Sequence, residues 1–100
     1  MRILMKVKFP NKQFNAAAKD GTAGKKMEQI LGELKPEVAY FTEFDGLRTA
    51  IVVVNIDEAS EIPSVAEPWF LAFGAEVSMH PAMTPEDLGR SGLGELAKKW

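Results

Sequence analysis

The fold turns on one stretch of sequence: Val38-Ala39-Tyr40-Phe41-Thr42-Glu43-Phe44-Asp45-Gly46-Leu47-Arg48-Thr49-Ala50-Ile51-Val52-Val53-Val54. An Asp-Gly step between two runs rich in β-branched and aromatic residues is the strongest short-range signal for a hairpin. A two-residue turn at Asp45-Gly46 predicts the pairs Phe44–Leu47, Thr42–Thr49, Tyr40–Ile51 and Val38–Val53 on one face. The other face then pairs Glu43 with Arg48, Phe41 with Ala50 and Ala39 with Val52. Opposite charges beside the turn and matched apolar pairs further in are what a stable register requires. Glu43 and Arg48 are expected to form an ordinary cross-strand ion pair. The run 50–54 is apolar on both faces, the composition of a central strand covered on both sides.

Upstream of the hairpin, Ile3, Met5, Val7 and Phe9 alternate with Leu4, Lys6 and Lys8, a period of two that marks a strand ending at Pro10. Residues 12–34 then read as helical, most clearly where Met27, Ile30, Leu31 and Leu34 fall on one stripe. Gly21 and Gly24 either break this helix or let it press close to the sheet. Because Ala17, Gly21, Gly24, Leu31 and Leu34 fall near one face, a continuous helix is the expectation.

Downstream, Ile62, Val65, Ala66, Trp69 and Phe73 outline a second helix between Asp57 and Gly74. Pro63 suits its start, Pro68 should kink it and Gly74 should stop it. Trp69, Phe70 and Phe73 read as core or dimer contacts. A last strand, 75–83, sets Val77, Met79 and Pro81 against Glu76, Ser78 and His80. Thr84-Pro85-Glu86-Asp87 is a helix start, with a capping threonine, proline at the first position and acids in the first turn. The tail beyond carries Leu93, Leu96, Ala97 and Trp100 at helical spacing.

The order is βαββαβ plus a C-terminal helix, which is the split βαβ or ferredoxin-like arrangement of an α+β domain. Its four-stranded antiparallel sheet usually has the first and third strands at the centre and both helices on one face. The other face stays open, and its mixed apolar and polar residues suit either a partner sheet or the tail of the same chain. Residues 1–83 form the core of this single domain and 84–100 its helical tail.

At 100 residues, one domain is expected, large enough to do without a staple. There are no cysteines, which excludes disulfides, thiolate metal sites and cysteine nucleophiles, and no metal or cofactor is expected. A net charge of −2 argues against nucleic acid or an anionic membrane as partner. Lys6 interrupts the apolar start, so no signal peptide is read there, and no apolar run reaches the ~20 residues of a membrane span. A cytoplasmic location is the expectation.

In its order of elements the chain resembles the dimeric α/β-barrel superfamily, in which two such domains pack sheet against sheet. The segments Met1-Arg2-Ile3-Leu4-Met5-Lys6-Val7, Asp20-Gly21-Thr22-Ala23-Gly24-Lys25, Glu67-Pro68-Trp69-Phe70-Leu71 and 80–88 are similar to those of a small bacterial family of domains of unknown function. Some relatives carry a pantothenate-synthesis name, but this chain has no adenylating nucleotide motif and is too short for such a ligase. The superfamily includes cofactor-free monooxygenases, muconolactone isomerase-like enzymes and haem-dependent members. The resemblance therefore implies a homodimer and a cavity between sheets, and no single reaction.

Gly21-Thr22-Ala23-Gly24-Lys25-Lys26 lacks the spacing and the hydroxyl of a phosphate loop. A helix restarting near Thr22 could still hold an anion beside Lys25 and Lys26. His80, the only histidine, is of the side-chain type that exchanges protons near neutral pH. It shares a strand face with Ser78 and Glu76, and the usual sheet order sets Lys6 and Lys8 beside them. With Tyr40 and Arg48 from the hairpin, these residues are candidates to hold a small anionic organic molecule. The alternatives are a cofactor-free proton-transfer enzyme with His80 as acid or base, and a non-catalytic assembly module. Ser78 and His80 do not make a nucleophilic triad, because no elbow motif surrounds the serine.

Overall fold

The computed structural model describes residues Met1–Trp100. The strands β1 (Arg2–Lys8), β2 (Val38–Phe44), β3 (Leu47–Asn55) and β4 (Glu76–Ala82) form one antiparallel sheet in the order β2-β3-β1-β4. This α+β arrangement is compatible with the ferredoxin-like fold, and the doubly apolar β3 lies inside the sheet.

The hairpin register is the one the turn predicts, from Phe44 opposite Leu47 to Val38 opposite Val53. Asp45 and Gly46 take φ of 56° and 77°, so both turn residues lie in the left-handed region. That is the type I′ geometry whose twist matches the flanking strands. The Glu43 carboxylate accepts the Gly46 N–H at 3.0 Å. Glu43 and Arg48 face each other in register, but the expected ion pair does not form, because Glu43 turns to the loop and Arg48 finds other partners.

The expectation of a continuous first helix is corrected. α1 (Asn11–Lys19) and α2 (Ala23–Leu34) are separate helices. Gly21 has φ +81°, and the Thr22 N–H donates back to the Ala17 carbonyl at 2.9 Å, so the helix closes there. Asp20 fixes the break, accepting from both the N–H and the hydroxyl of Thr22. Close packing explains neither glycine, since a Cβ at Gly21 or Gly24 meets nothing within 4 Å.

α3 (Ile62–Phe73) follows a short 3-10 turn and ends at Gly74, whose φ is +61°. It contains both prolines and buries Val65, Ala66, Trp69 and Phe73. Ile62 remains 41% exposed, so the buried stripe is narrower than the spacing suggests, and Phe70, read as a core or dimer contact, lies outside the protomer core. The core lies between the helices and one sheet face, where Ile3, Met5, Val7, Ala50, Val52 and Val54 meet Phe9, Ile30, Trp69 and Phe73. α4 (Pro85–Gly89) begins as the sequence indicates: Thr84 Oγ1 accepts from the Asp87 N–H, and Asp87 accepts from the Thr84 N–H. α5 (Leu93–Lys99) completes the chain. No helix is long and apolar enough to cross a membrane.

Candidate functional site

Strand alternation decides what the open sheet face presents. Since Ile3, Met5 and Val7 point into the core, Arg2, Leu4, Lys6 and Lys8 point to the other side. The ladders then fix their neighbours in three rows. His80, Leu4, Val53 and Val38 form one row; Ser78, Lys6, Ile51 and Tyr40 the next; Glu76, Lys8, Thr49 and Thr42 the third. Tyr40 and its hairpin face therefore join Lys6 and His80, a point the sequence left open. The face divides into an apolar half on β2 and β3 and a polar half on β1 and β4.

The two lysines differ in their electrostatic situation. Lys8 Nζ donates to the Asp45 carboxylate at 2.7 Å. This hydrogen bond raises the Lys8 pKa and lowers that of Asp45, each gaining a partner for its charged form. Lys6 has no carboxylate within ion-pair distance; its ammonium lies 4.4 Å from the centre of the Phe44 ring. An ammonium over an aromatic face is held electrostatically without being neutralised. Lys6 is thus the ammonium of the face without an ion pair, directly opposite Ser78 in the ladder and near enough to Asp45 to add to the lowering of its pKa. The Ser78 hydroxyl reaches only the Lys6 carbonyl, at 3.5 Å, and remains available to another acceptor. His80 is exposed and makes neither a side-chain hydrogen bond nor an ion pair, so nothing orients its ring.

At the end of β1, Arg2 donates twice to the Glu37 carboxylate, at 2.9 and 3.1 Å, and lies 3.8 Å from Asp87. The Arg2 hydrogen bond depresses the Glu37 pKa, and Arg2 is correspondingly raised. This pairing closes one end of the face and removes Arg2 as a free ligand group.

Arg48 belongs to the opposite side of the sheet. Its guanidinium donates to Asn15 Oδ1 at 2.8 Å and stacks 4.7 Å from the Phe14 ring centre. It borders a separate cleft of about 310 Å³ between the hairpin and the helices, lined also by Phe9, Met27 and Phe41. Of the candidate residues, Lys6, Lys8, Ser78, His80 and Tyr40 share one face and Arg48 does not. At the restart of α2, Asp20 accepts the Thr22 N–H and Lys26 Nζ reaches the Ala72 carbonyl at 3.4 Å.

Sequence reading missed Phe44 and Ile51 as neighbours of Lys6, and Asp45 as the group that neutralises Lys8. Phe44 and Ile51 could have been found once the β1–β3 register was known. No local signal joins Lys8 to Asp45, which lie 37 residues apart. Compared with protein-family models and with curated proteins, the chain matches none.

Proposed function

We propose that a second copy of this chain covers the open sheet face, giving a dimeric α/β barrel that holds a small anionic organic molecule between the sheets. The observation that carries this reading is Lys6, an unneutralised ammonium between Tyr40 and Ile51 on one side and Ser78 on the other. Covering such a face with an apolar surface would strand that charge, at a cost of several kcal/mol. A carboxylate or phenolate against Lys6, with hydroxyls from Ser78 and Tyr40, removes the cost and uses the apolar half for the ligand's carbon skeleton. Lys8, already satisfied by Asp45, lines the site without being its anchor.

Binding is favoured over catalysis because His80 lacks an orienting partner, and a general acid or base needs its ring held toward the reacting atom. The test joins sedimentation of the full chain to a calorimetric screen of small aromatic and aliphatic carboxylates. A dimer that binds such a carboxylate, and loses at least tenfold in affinity in Lys6→Met, supports the reading. A monomer, or a dimer whose carboxylate affinity ignores Lys6, refutes it.

A further inference from the structure

Residues 84–100 leave the body of the domain. The chain has a radius of gyration of 16.5 Å and a longest dimension of 58 Å against 28 and 19 Å in the other directions. A compact chain of this length has a radius of about 13 Å. Every residue from 88 to 100 is exposed, including Leu88, Leu93, Leu96 and a Trp100 that is 95% accessible. Leu93, Leu96, Ala97 and Trp100 follow the i, i+3, i+4, i+7 pattern, so their apolar groups form one stripe on α5. An isolated helix shorter than ~12–15 residues is marginal in water. With seven residues, one of them Gly94, and no side-chain cap at Gly92, α5 needs a surface to lie on.

We propose that this surface is a second copy of the chain: residues 84–100 form an arm that crosses to the partner and packs Leu93, Leu96 and Trp100 on it. The inference rests on the sheet-to-sheet dimer proposed above. Two observations favour a second copy over an unrelated partner. An uncovered sheet and an unpartnered arm occur in the same protomer, and one two-fold axis satisfies both at once, each arm receiving what it gives. The area also points this way. A stable interface buries about 800 Å² of accessible surface on each partner. The exposed Leu93, Leu96 and Trp100 of each reciprocal arm add apolar area to what the sheet face supplies. The Thr84–Asp87 capping box and the approach of Arg2 to Asp87 fix the direction in which the arm departs.

The test compares three proteins by sedimentation equilibrium: the full chain, the chain ending at Met83, and the full-length Leu93→Ser/Leu96→Ser variant. The double variant keeps the test valid if truncation impairs folding, since neither leucine belongs to the core. Acrylamide quenching of the full chain, with Trp100→Phe as the subtraction, reports on Trp100 separately from the fully buried Trp69. The expected result is a dimer weakened at least tenfold in both arm variants, with Trp100 shielded from quencher in the dimer. A dimer of unchanged affinity in the double variant, or a freely quenched Trp100, overturns the arm and leaves the sheet-to-sheet dimer standing. A full chain that is monomeric at all concentrations overturns both.

Discussion

Lys6→Met separates a ligand-holding interface from a dry one, and its consequences can be worked from the structure. Within the protomer the substitution removes one cation–aromatic contact, 4.4 Å from the Phe44 centre and partly exposed, and no ion pair. Such a contact contributes about 0.5–1 kcal/mol at exposed sites. Methionine keeps most of the apolar stem against Phe44 and Ile51, so the urea midpoint of the isolated protomer should move little. In the proposed dimer the balance reverses. An unpaired ammonium covered by a second sheet carries a desolvation penalty of several kcal/mol, reduced by whatever water the cavity retains. Removing it should tighten the ligand-free dimer at least tenfold, the equivalent of about 1.4 kcal/mol. The same change should abolish carboxylate binding. Sedimentation equilibrium gives the first quantity and titration calorimetry the second. A variant that dimerises no more tightly and still binds carboxylates would falsify the placement of Lys6 at a covered anion site.

Four further outcomes follow. Gly24→Ala and Gly32→Ala replace glycines in the first and last turns of α2 whose Cβ positions are empty, so each should stabilise in urea denaturation, by less than the ~1 kcal/mol of a helix interior. Gly21→Ala, at φ +81°, should destabilise instead, and a stabilising result there would sink the assigned helix break. Arg48→Ala removes the Phe14 stack and the Asn15 hydrogen bond, and should cost about 1 kcal/mol of protomer stability with no change in dimer or carboxylate affinity. Acid titration should lower stability, because Asp20, Glu37, Asp45, Glu61 and Asp87 all have depressed pKa values through hydrogen bonds made in the fold. Their contribution is present above their unfolded values of 3.8 to 4.5 and is lost as pH falls through the lower folded values. Denaturation at pH 7, 4 and 2.5 should show the decline, and Asp45→Asn should make it shallower.

The hairpin was fully legible because its determinants are local. Asp45-Gly46 permits two consecutive left-handed residues, and that turn sets every pair up to Val38–Val53. The α4 start was legible for the same reason, since Thr84 and Asp87 satisfy each other three residues apart. The break at Gly21 was harder, because Ala16, Ala17 and Ala18 favour continuing the helix and the apolar spacing runs through it. What ends α1 is the reach of Asp20 to Thr22, a competition between side chain and helix that periodicity does not register. The site was legible only in part. Alternation put Lys6, Lys8, Ser78 and His80 on their faces, but which lysine is neutralised depends on Asp45 arriving from the far end of the hairpin. Arg48 was misplaced because the hairpin register does not by itself say which of its faces joins the Lys6 face; Arg48 alternates with Ala50, Val52 and Val54 and so falls on the core side.

The division of the open face also constrains how two copies can meet. Two sheets packed face to face can be related by a two-fold axis running along the strands or across them. An axis along the strands sets β2 of one protomer over β4 of the other, so Tyr40 and Ile51 face the Ser78 and Lys6 region. An axis across the strands sets each strand over its own copy with the direction reversed: passing between two rows, it lays Val38 on Tyr40 and Val53 on Ile51 of the other copy, and the two polar halves meet on the other side. Both axes cover these four residues, but the axis along the strands sets Tyr40 and Ile51 against Ser78 and Lys6, and each polar group left unpaired against hydrocarbon costs about 1–3 kcal/mol, a cost that apolar-on-apolar matching avoids. Against it stands the repulsion of two Lys6 ammoniums across sheets about 10 Å apart, about 1.7 kcal/mol at an effective dielectric of 20 and less in salt. The avoided cost, which falls on both groups of each copy, is the larger, so the across-strand axis is favoured. Both Lys6 side chains then share one polar chamber, where a single anion relieves the repulsion between them. Calorimetry should therefore give one carboxylate per dimer, with an affinity that falls as salt rises. Two independent carboxylates per dimer would instead assign the axis along the strands, with Lys6 of each copy serving a separate site against Ile51 of the other.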